Sequence, residues 1–230
     1  MSDSKTKLPN WHGALIVSCQ PIPKGPFDTP EMIAAFAAAA ESNGAAALRI
    51  EGVDNVRYIV DRVSIPVIGI VKRDLLESPV RITPLLEDVA GLVDAGASII
   101  AVDATARPRP VPSAALFEAV NAAGRLAMAD ISTLEEGFAA ARDGATLIAS
   151  TLAGYTDGGE PVAPNLDLVR ALVSANLPTI AEGNYRTPEL AAQACAAGAL
   201  AVTVGSAITR PEHIIQWYAE STAAAGSTIV

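Results

Sequence analysis

Lys72 ends an apolar run in the stretch IGIVKRD (68–74), and Glu182 ends another in PTIAEG (178–183). A lysine partly shielded from water loses preference for its charged form and becomes a base near neutral pH. A carboxyl facing it across a pocket supplies the matching acid. Two proton-transfer groups so opposed suit isomerisation by deprotonation and reprotonation at carbon. Other apolar runs also end on polar residues: Ser18 and Gln20, Arg49 and Glu51, Asp103 and Thr105, Asp130 and Ser132, Ser150 and Thr151. Asp130 suits a hydrogen bond from a substrate hydroxyl, or the orienting of Lys72. The segments AEGNYRTPE (181–189) and VGSAITRPE (204–212) bring glycines next to helix-starting residues, with Ser206 and Arg210 in the second. Backbone N–H groups at such loops and helix starts hold phosphate, to which a hydroxyl and a guanidinium add.

These residues need elements that bring them together. Four segments share one grammar: SNGAAALRI (42–50), DAGASIIAV (94–102), RDGATLIAS (142–150) and AAGALAVTV (196–204). In each, a helix-like stretch ends at glycine and a short apolar run follows. Their Gly-Ala pairs begin at 44, 96, 144 and 198, a period of about fifty residues. Glycine past a helix end closes the last turn. Apolar runs without polar alternation fit strands buried on both faces. With GALIVSC, SIPVIGIVK, LAMADIS and NLPTIAEG the strands number eight, at roughly 14–18, 46–50, 67–71, 98–102, 126–130, 146–150, 179–182 and 200–204. Thr-Pro pairs at 29, 83 and 187 read as helix starts, and Ser132 with Glu135 as a capping box. Eight strands alternating with helices predict an α/β fold of the (β/α)8 TIM-barrel type. An open doubly wound sheet is the alternative. Residues 1–230 are expected to be a single barrel domain, with 1–12 as a polar N-terminal extension. In such a barrel the strand ends converge on one mouth.

The bulk properties narrow the partners. Net charge is −9 and pI about 4.7, which disfavours nucleic acid and anionic membranes but not one anionic metabolite. Two cysteines and two histidines fit no disulfide framework or histidine metal site. A metal on Asp103, Asp130 and Glu182 lacks a supporting ligand pattern. The N-terminal MSDSKTKLPN has no apolar signal core, so a soluble cytoplasmic protein is expected. DATARPRP (103–110) reads as a mobile loop whose arginines guard the mouth, and GYTDGGEPVAPN (154–165) as a flexible lid. Trp217 reads as packing or interface, and the apolar helix PEHIIQWYAE (211–220) leaves a homodimer open.

The motifs LIVSCQ, IGIVKRD, ITP, DAT, MADISTLEEG, AEGNYRTPE and VGSAITRP, in this order, closely resemble the N-acetylmannosamine-6-phosphate 2-epimerase family over about residues 13–215. The resemblance implies a (β/α)8 barrel interconverting N-acetylmannosamine 6-phosphate and N-acetylglucosamine 6-phosphate in sialic acid catabolism, with no cofactor. It implies Lys72 as the base at C2 and Glu182 as its acidic partner. Gln20, Arg49 and Asp130 then bind or position the sugar, and Gly183, Asn184, Gly205, Ser206 and Arg210 form the phosphate environment. The sequence departs from the family pattern after Arg49, where IEGV stands. It departs again after AEG, where a basic residue is common and this chain has Asn184 and Tyr185, with Arg186 two positions on. A Schiff-base aldolase on the same fold, with Lys72 as nucleophile, is the nearest rival. A barrel that binds a phosphosugar without turning it over is the other.

Overall fold

In the structure, a computed structural model that describes residues 10–156, 158–159 and 161–227, the eight strands close into one parallel barrel in sequence order. They are β1 (Ala14–Cys19), β2 (Ala47–Glu51), β3 (Val67–Ile70), β4 (Ile99–Asp103), β5 (Leu126–Asp130), β6 (Leu147–Ala149), β7 (Thr179–Glu182) and β8 (Ala201–Val204). The helices between them are α1 (Pro30–Ser42), α2 (Val53–Val60), α3 (Leu86–Asp94), α4 (Ser113–Ala122), α5 (Leu134–Arg142), α6 (Leu166–Ser174) and α7 (Pro188–Ala196). After β8, the short α8 (Ser206–Thr209) leads into α9 (Pro211–Ser227). β8 pairs with β1 from Ala14↔Ala201 to Val17↔Val204, so the open sheet is overturned. The four repeat glycines all take left-handed conformations, with φ of 91°, 90°, 108° and 98°.

The strands are continuously apolar because both faces are covered. Ile16, Ala47, Ile68, Ile99, Met128, Ile180 and Ala201 pack together in the barrel lumen. Residues of opposite parity, such as Val17, Leu48, Ile100 and Ile148, pack in the layer under the helices. Small residues let the helices lie close. A methyl group added at Gly69 in β3 would stand 2.9 Å from Leu92 Cδ2 and 3.0 Å from Ala97 Cβ.

Trp11 is 6% exposed and packs into the lumen cluster. The expected polar extension therefore stops short of it; residues 1–9 lie outside the described residues. The far end of the chain is also fastened. Thr209 Oγ1 donates to Ser18 O at 2.7 Å and Arg210 Nε to Gln20 O at 2.7 Å, tying the α8–α9 junction to β1 and the loop after it.

Two helix starts differ from expectation. Thr29 and Thr187 cap α1 and α7, accepting from Met32 N and Leu190 N. Thr83 does not cap α3: its N–H donates to Val71 O at 2.7 Å and its hydroxyl accepts from Val71 N at 3.3 Å. The segment is drawn against the chain leaving β3, and α3 begins at Leu86, where Asp88 accepts from Leu85 N at 3.1 Å. The capping box of α5 falls one residue later than expected, on Thr133 and Glu136, because Ser132 is used to donate to Glu136 Oε2.

Candidate active site

Side chains alternate along each strand, so a residue two places beyond a lumen residue continues the same inward row. Arg49 follows Ala47 in this way, and Lys72 follows Ile70. Asp103, Asp130, Glu182 and Thr203 likewise follow Ala101, Met128, Ile180 and Ala201. Above the apolar layers the lumen becomes polar and opens into a cavity of about 730 Å³ at the C-terminal ends of the strands. Lys72, Glu182, Gln20, Arg49, Gly183, Asn184, Gly205, Ser206 and Arg210 all line it. Asp130 does not: it is 0% exposed and lies beneath the cavity floor.

Arg49 organises that floor. It donates to Asp130 through two nitrogens, at 3.0 and 2.6 Å, and to Glu182 Oε2 at 2.9 Å. Thr151 Oγ1 donates to Asp130 Oδ1 at 2.6 Å, which turns the carboxylate toward Arg49 rather than Lys72. The guanidinium is 1% exposed, and burial of its carboxylates would be costly without it. Burial raises the Glu182 carboxyl above the ordinary range; Arg49 pulls in the other direction, and the charge of Asp130 adds to the rise.

Lys72 is free of such ties. Of the three charges in KRD, Arg73 pairs with Glu87 at 2.8 Å and Asp88 at 2.7 Å, and Asp74 pairs with Arg81 at 2.7 Å. Lys72 makes no ion pair among the described residues, and only its backbone N–H reaches Glu51, at 3.3 Å. Its side chain lines the open cavity and remains exposed there. Desolvation by the cavity walls, with the charges of Arg49 and Arg210, lowers its pKa to about 8.

The expected mobile loop DATARPRP is pinned. Arg107 and Arg109 both pair with Asp103, at 2.6 and 3.3 Å, and Ala106 N donates to Glu136 at 2.7 Å. Asp103 is 1% exposed, so the arginines offset the cost of its burial, and Arg107 lines the mouth. On the β8 side, Gly205 lets the backbone pass close to β1, since a Cβ there would lie 3.3 Å from Ser18 Cβ. Arg210 has its pKa lowered chiefly by burial. Among the described residues no group of three or more His, Cys, Asp and Glu side chains could hold a metal ion. No helix among them is long and apolar enough to cross a membrane.

Several lining residues escaped the sequence reading. Thr203 hides inside a strand, though its parity with Ala201 marks it as inward. His213, Gln216 and Trp217 reach the cavity from α9, and Tyr155 and Val162 from the loop after β6. Trp217 is thus part of the wall; its spacing of four from His213, about one helical turn, is the available signal.

Comparison with known proteins agrees with this architecture. A family model described as "Putative N-acetylmannosamine-6-phosphate epimerase" matches residues 33–224. A protein of Edwardsiella ictaluri named "Putative N-acetylmannosamine-6-phosphate 2-epimerase" is 58% identical over 210 residues, 91% of this chain and 89% of the relative. A Salmonella typhimurium protein named "Putative N-acetylmannosamine-6-phosphate 2-epimerase 2" is 56% identical over 215 residues, 94% of each chain. The solved structure of the N-acetylmannosamine-6-phosphate 2-epimerase from Clostridium perfringens superposes with a TM-score of 0.88 at 39% identity, covering 92% of this chain and 94% of that one. On these matches the chain belongs to the N-acetylmannosamine-6-phosphate epimerase family.

Proposed function

We propose that this chain interconverts N-acetylmannosamine 6-phosphate and N-acetylglucosamine 6-phosphate by proton transfer at C2, as an N-acylglucosamine-6-phosphate 2-epimerase of sialic acid catabolism. The observation that carries the reading is Lys72, an amine brought down to about 8 and without an ion pair, in a cavity whose other strand-end charges are largely held in pairs. At pH 7.5 about a quarter of such an amine is neutral and able to accept a proton.

The C2 hydrogen becomes acidic when the sugar ring is open and C1 is an aldehyde. Lys72 removes it, and the resulting enolate takes its proton back on the opposite face from Glu182, whose raised pKa keeps it protonated more readily than an ordinary carboxyl. Arg49 and Gln20 hold the sugar oxygens, and Asp130 sets the position of Arg49 from below. Gly183, Asn184, Gly205, Ser206 and Arg210 surround the phosphate. Acid–base groups contribute about 10²–10⁴-fold, so anchoring the phosphate and orienting the open chain supply much of the remaining acceleration. Charge also favours this class of substrate: the chain carries −9 overall, yet Arg49, Lys72, Arg81, Arg107, Arg186 and Arg210 line the cavity against Asp103 and Glu182.

The test is proton NMR of N-acetylmannosamine 6-phosphate with the protein in D2O. Conversion to the epimer with deuterium at C2 is expected. No conversion and no loss of the C2 proton, from folded protein, would overturn the reading. Trapping of substrate on Lys72 by borohydride would replace it with Schiff-base chemistry.

A further inference from the structure

The loop between β7 and α7 carries another guanidinium to the cavity. Gly183 and Asn184 take successive left-handed conformations, with φ of 113° and 60°, and turn the chain sharply at the mouth. Tyr185 goes inward, 4% exposed, and Arg186 comes to lie over Trp217, its guanidinium carbon 4.8 Å from the ring centre. His213 lies against the same indole, with ring centres 6.1 Å apart. Arg210 immediately precedes α9, His213 and Trp217 lie four apart within it, and all three line the cavity. The Arg186 hydrogen bond to Asn184 Oδ1 is long, at 3.4 Å, and Asn184 in turn donates to Tyr155 at 3.1 Å. Neither Arg186 nor Arg210 makes an ion pair among the described residues.

A guanidinium seated on an indole is held in orientation while its N–H fork stays available, and that fork matches phosphate oxygens. Arg210 before α9 and Arg186 on the indole of Trp217 therefore bring two guanidinium groups to the same cavity. We propose that Arg186, positioned by Trp217, binds the substrate phosphate together with Arg210 and sets the preference for a phosphorylated over an unphosphorylated sugar. The sugar named here rests on the functional reading above; the anion site does not.

Two measurements test this on Arg186→Gln, Trp217→Leu and Trp217→Phe: calorimetric binding of inorganic phosphate, and steady-state epimerisation of N-acetylmannosamine with and without its 6-phosphate. Arg186→Gln should raise the phosphate Kd and the KM for the phosphosugar about tenfold each, with kcat within twofold and the unphosphorylated sugar unaffected. Trp217→Leu should move the same quantities in the same direction, and Trp217→Phe should stay near the original. Unchanged Kd and KM in Arg186→Gln would overturn the proposal, as would an equal loss on the unphosphorylated sugar. Phosphate binding that depends on Arg186, in a protein that does not epimerise the sugar, would uphold this site and overturn the functional reading instead.

Discussion

Glu182 and Asp130 share a single guanidinium, with Arg49 donating to the first at 2.9 Å and to the second at 2.6 Å. Two carboxylates against one cation leave the buried floor of the cavity short of positive charge. The shortfall falls on Glu182, at the cavity surface, rather than on Asp130, which is bonded through both oxygens. The asymmetry leaves Glu182, whose pKa burial raises, as the carboxyl placed to carry a proton.

Removing the shared cation should be felt in stability. Arg49→Ala leaves two carboxylates without the cation they share, and a loss of about 3–5 kcal/mol is expected. Urea unfolding measures it, and a change under about 1 kcal/mol would show that the network contributes little.

Glu182→Gln keeps the shape of the side chain and its place beside Arg49 while removing the acid. Its expected outcome is loss of interconversion with continued solvent exchange at C2 in one epimer, since Lys72 still works its own face. Deuterium incorporation followed separately in each epimer distinguishes this from Lys72 serving both faces, in which case interconversion would persist.

The pH profile follows from the direction of the Lys72 shift. Its pKa is lowered from 10.5 to about 8, and the base works only when neutral. While Glu182 stays protonated, kcat/KM should therefore rise about tenfold per pH unit below pH 8, and it should fall again once the raised pKa of Glu182 is passed. Lys72→Ala should lose about 10²–10⁴-fold in rate with little change in melting temperature, because no ion pair depends on it. A profile flat from pH 6 to 9 would exclude Lys72 as the base.

Gly69→Ala tests how tightly α3 lies on the strand that delivers Lys72. The added methyl would meet Leu92 Cδ2 at 2.9 Å and Ala97 Cβ at 3.0 Å. Overpacking of this kind costs about 1–3 kcal/mol. A lowered melting temperature with reduced activity is expected, and an unchanged one would mean the helix yields freely.

Much of this arrangement was legible in advance because strand ends and strand parity are local properties. Lys72 and Glu182 fall on one mouth because each ends the apolar run of a strand in a parallel barrel. The repeat glycines marked where each helix must stop. Thr83 was misread because the Thr-Pro pair has two uses, and contacts with Val71 that sequence does not reveal decided between them. The loop 103–110 looked mobile from its prolines, whereas Asp103 immobilises it by collecting two arginines. Trp217 reads as packing or interface because the angle of α9 against the mouth depends on where Thr209 and Arg210 attach, which no periodicity records.

That attachment also has a consequence for how the protein is born. β1 leaves the ribosome first, but its partner on one side, and the groups that clasp Ser18 and Gln20, lie about 190 residues downstream. At synthesis rates of about 5–20 residues per second, one edge of the first strand waits roughly 10–40 s with its backbone groups open to any passing strand. Speed of translation near the C-terminus, and a chaperone able to shield an edge meanwhile, therefore bear on the yield of this barrel more than on its final stability.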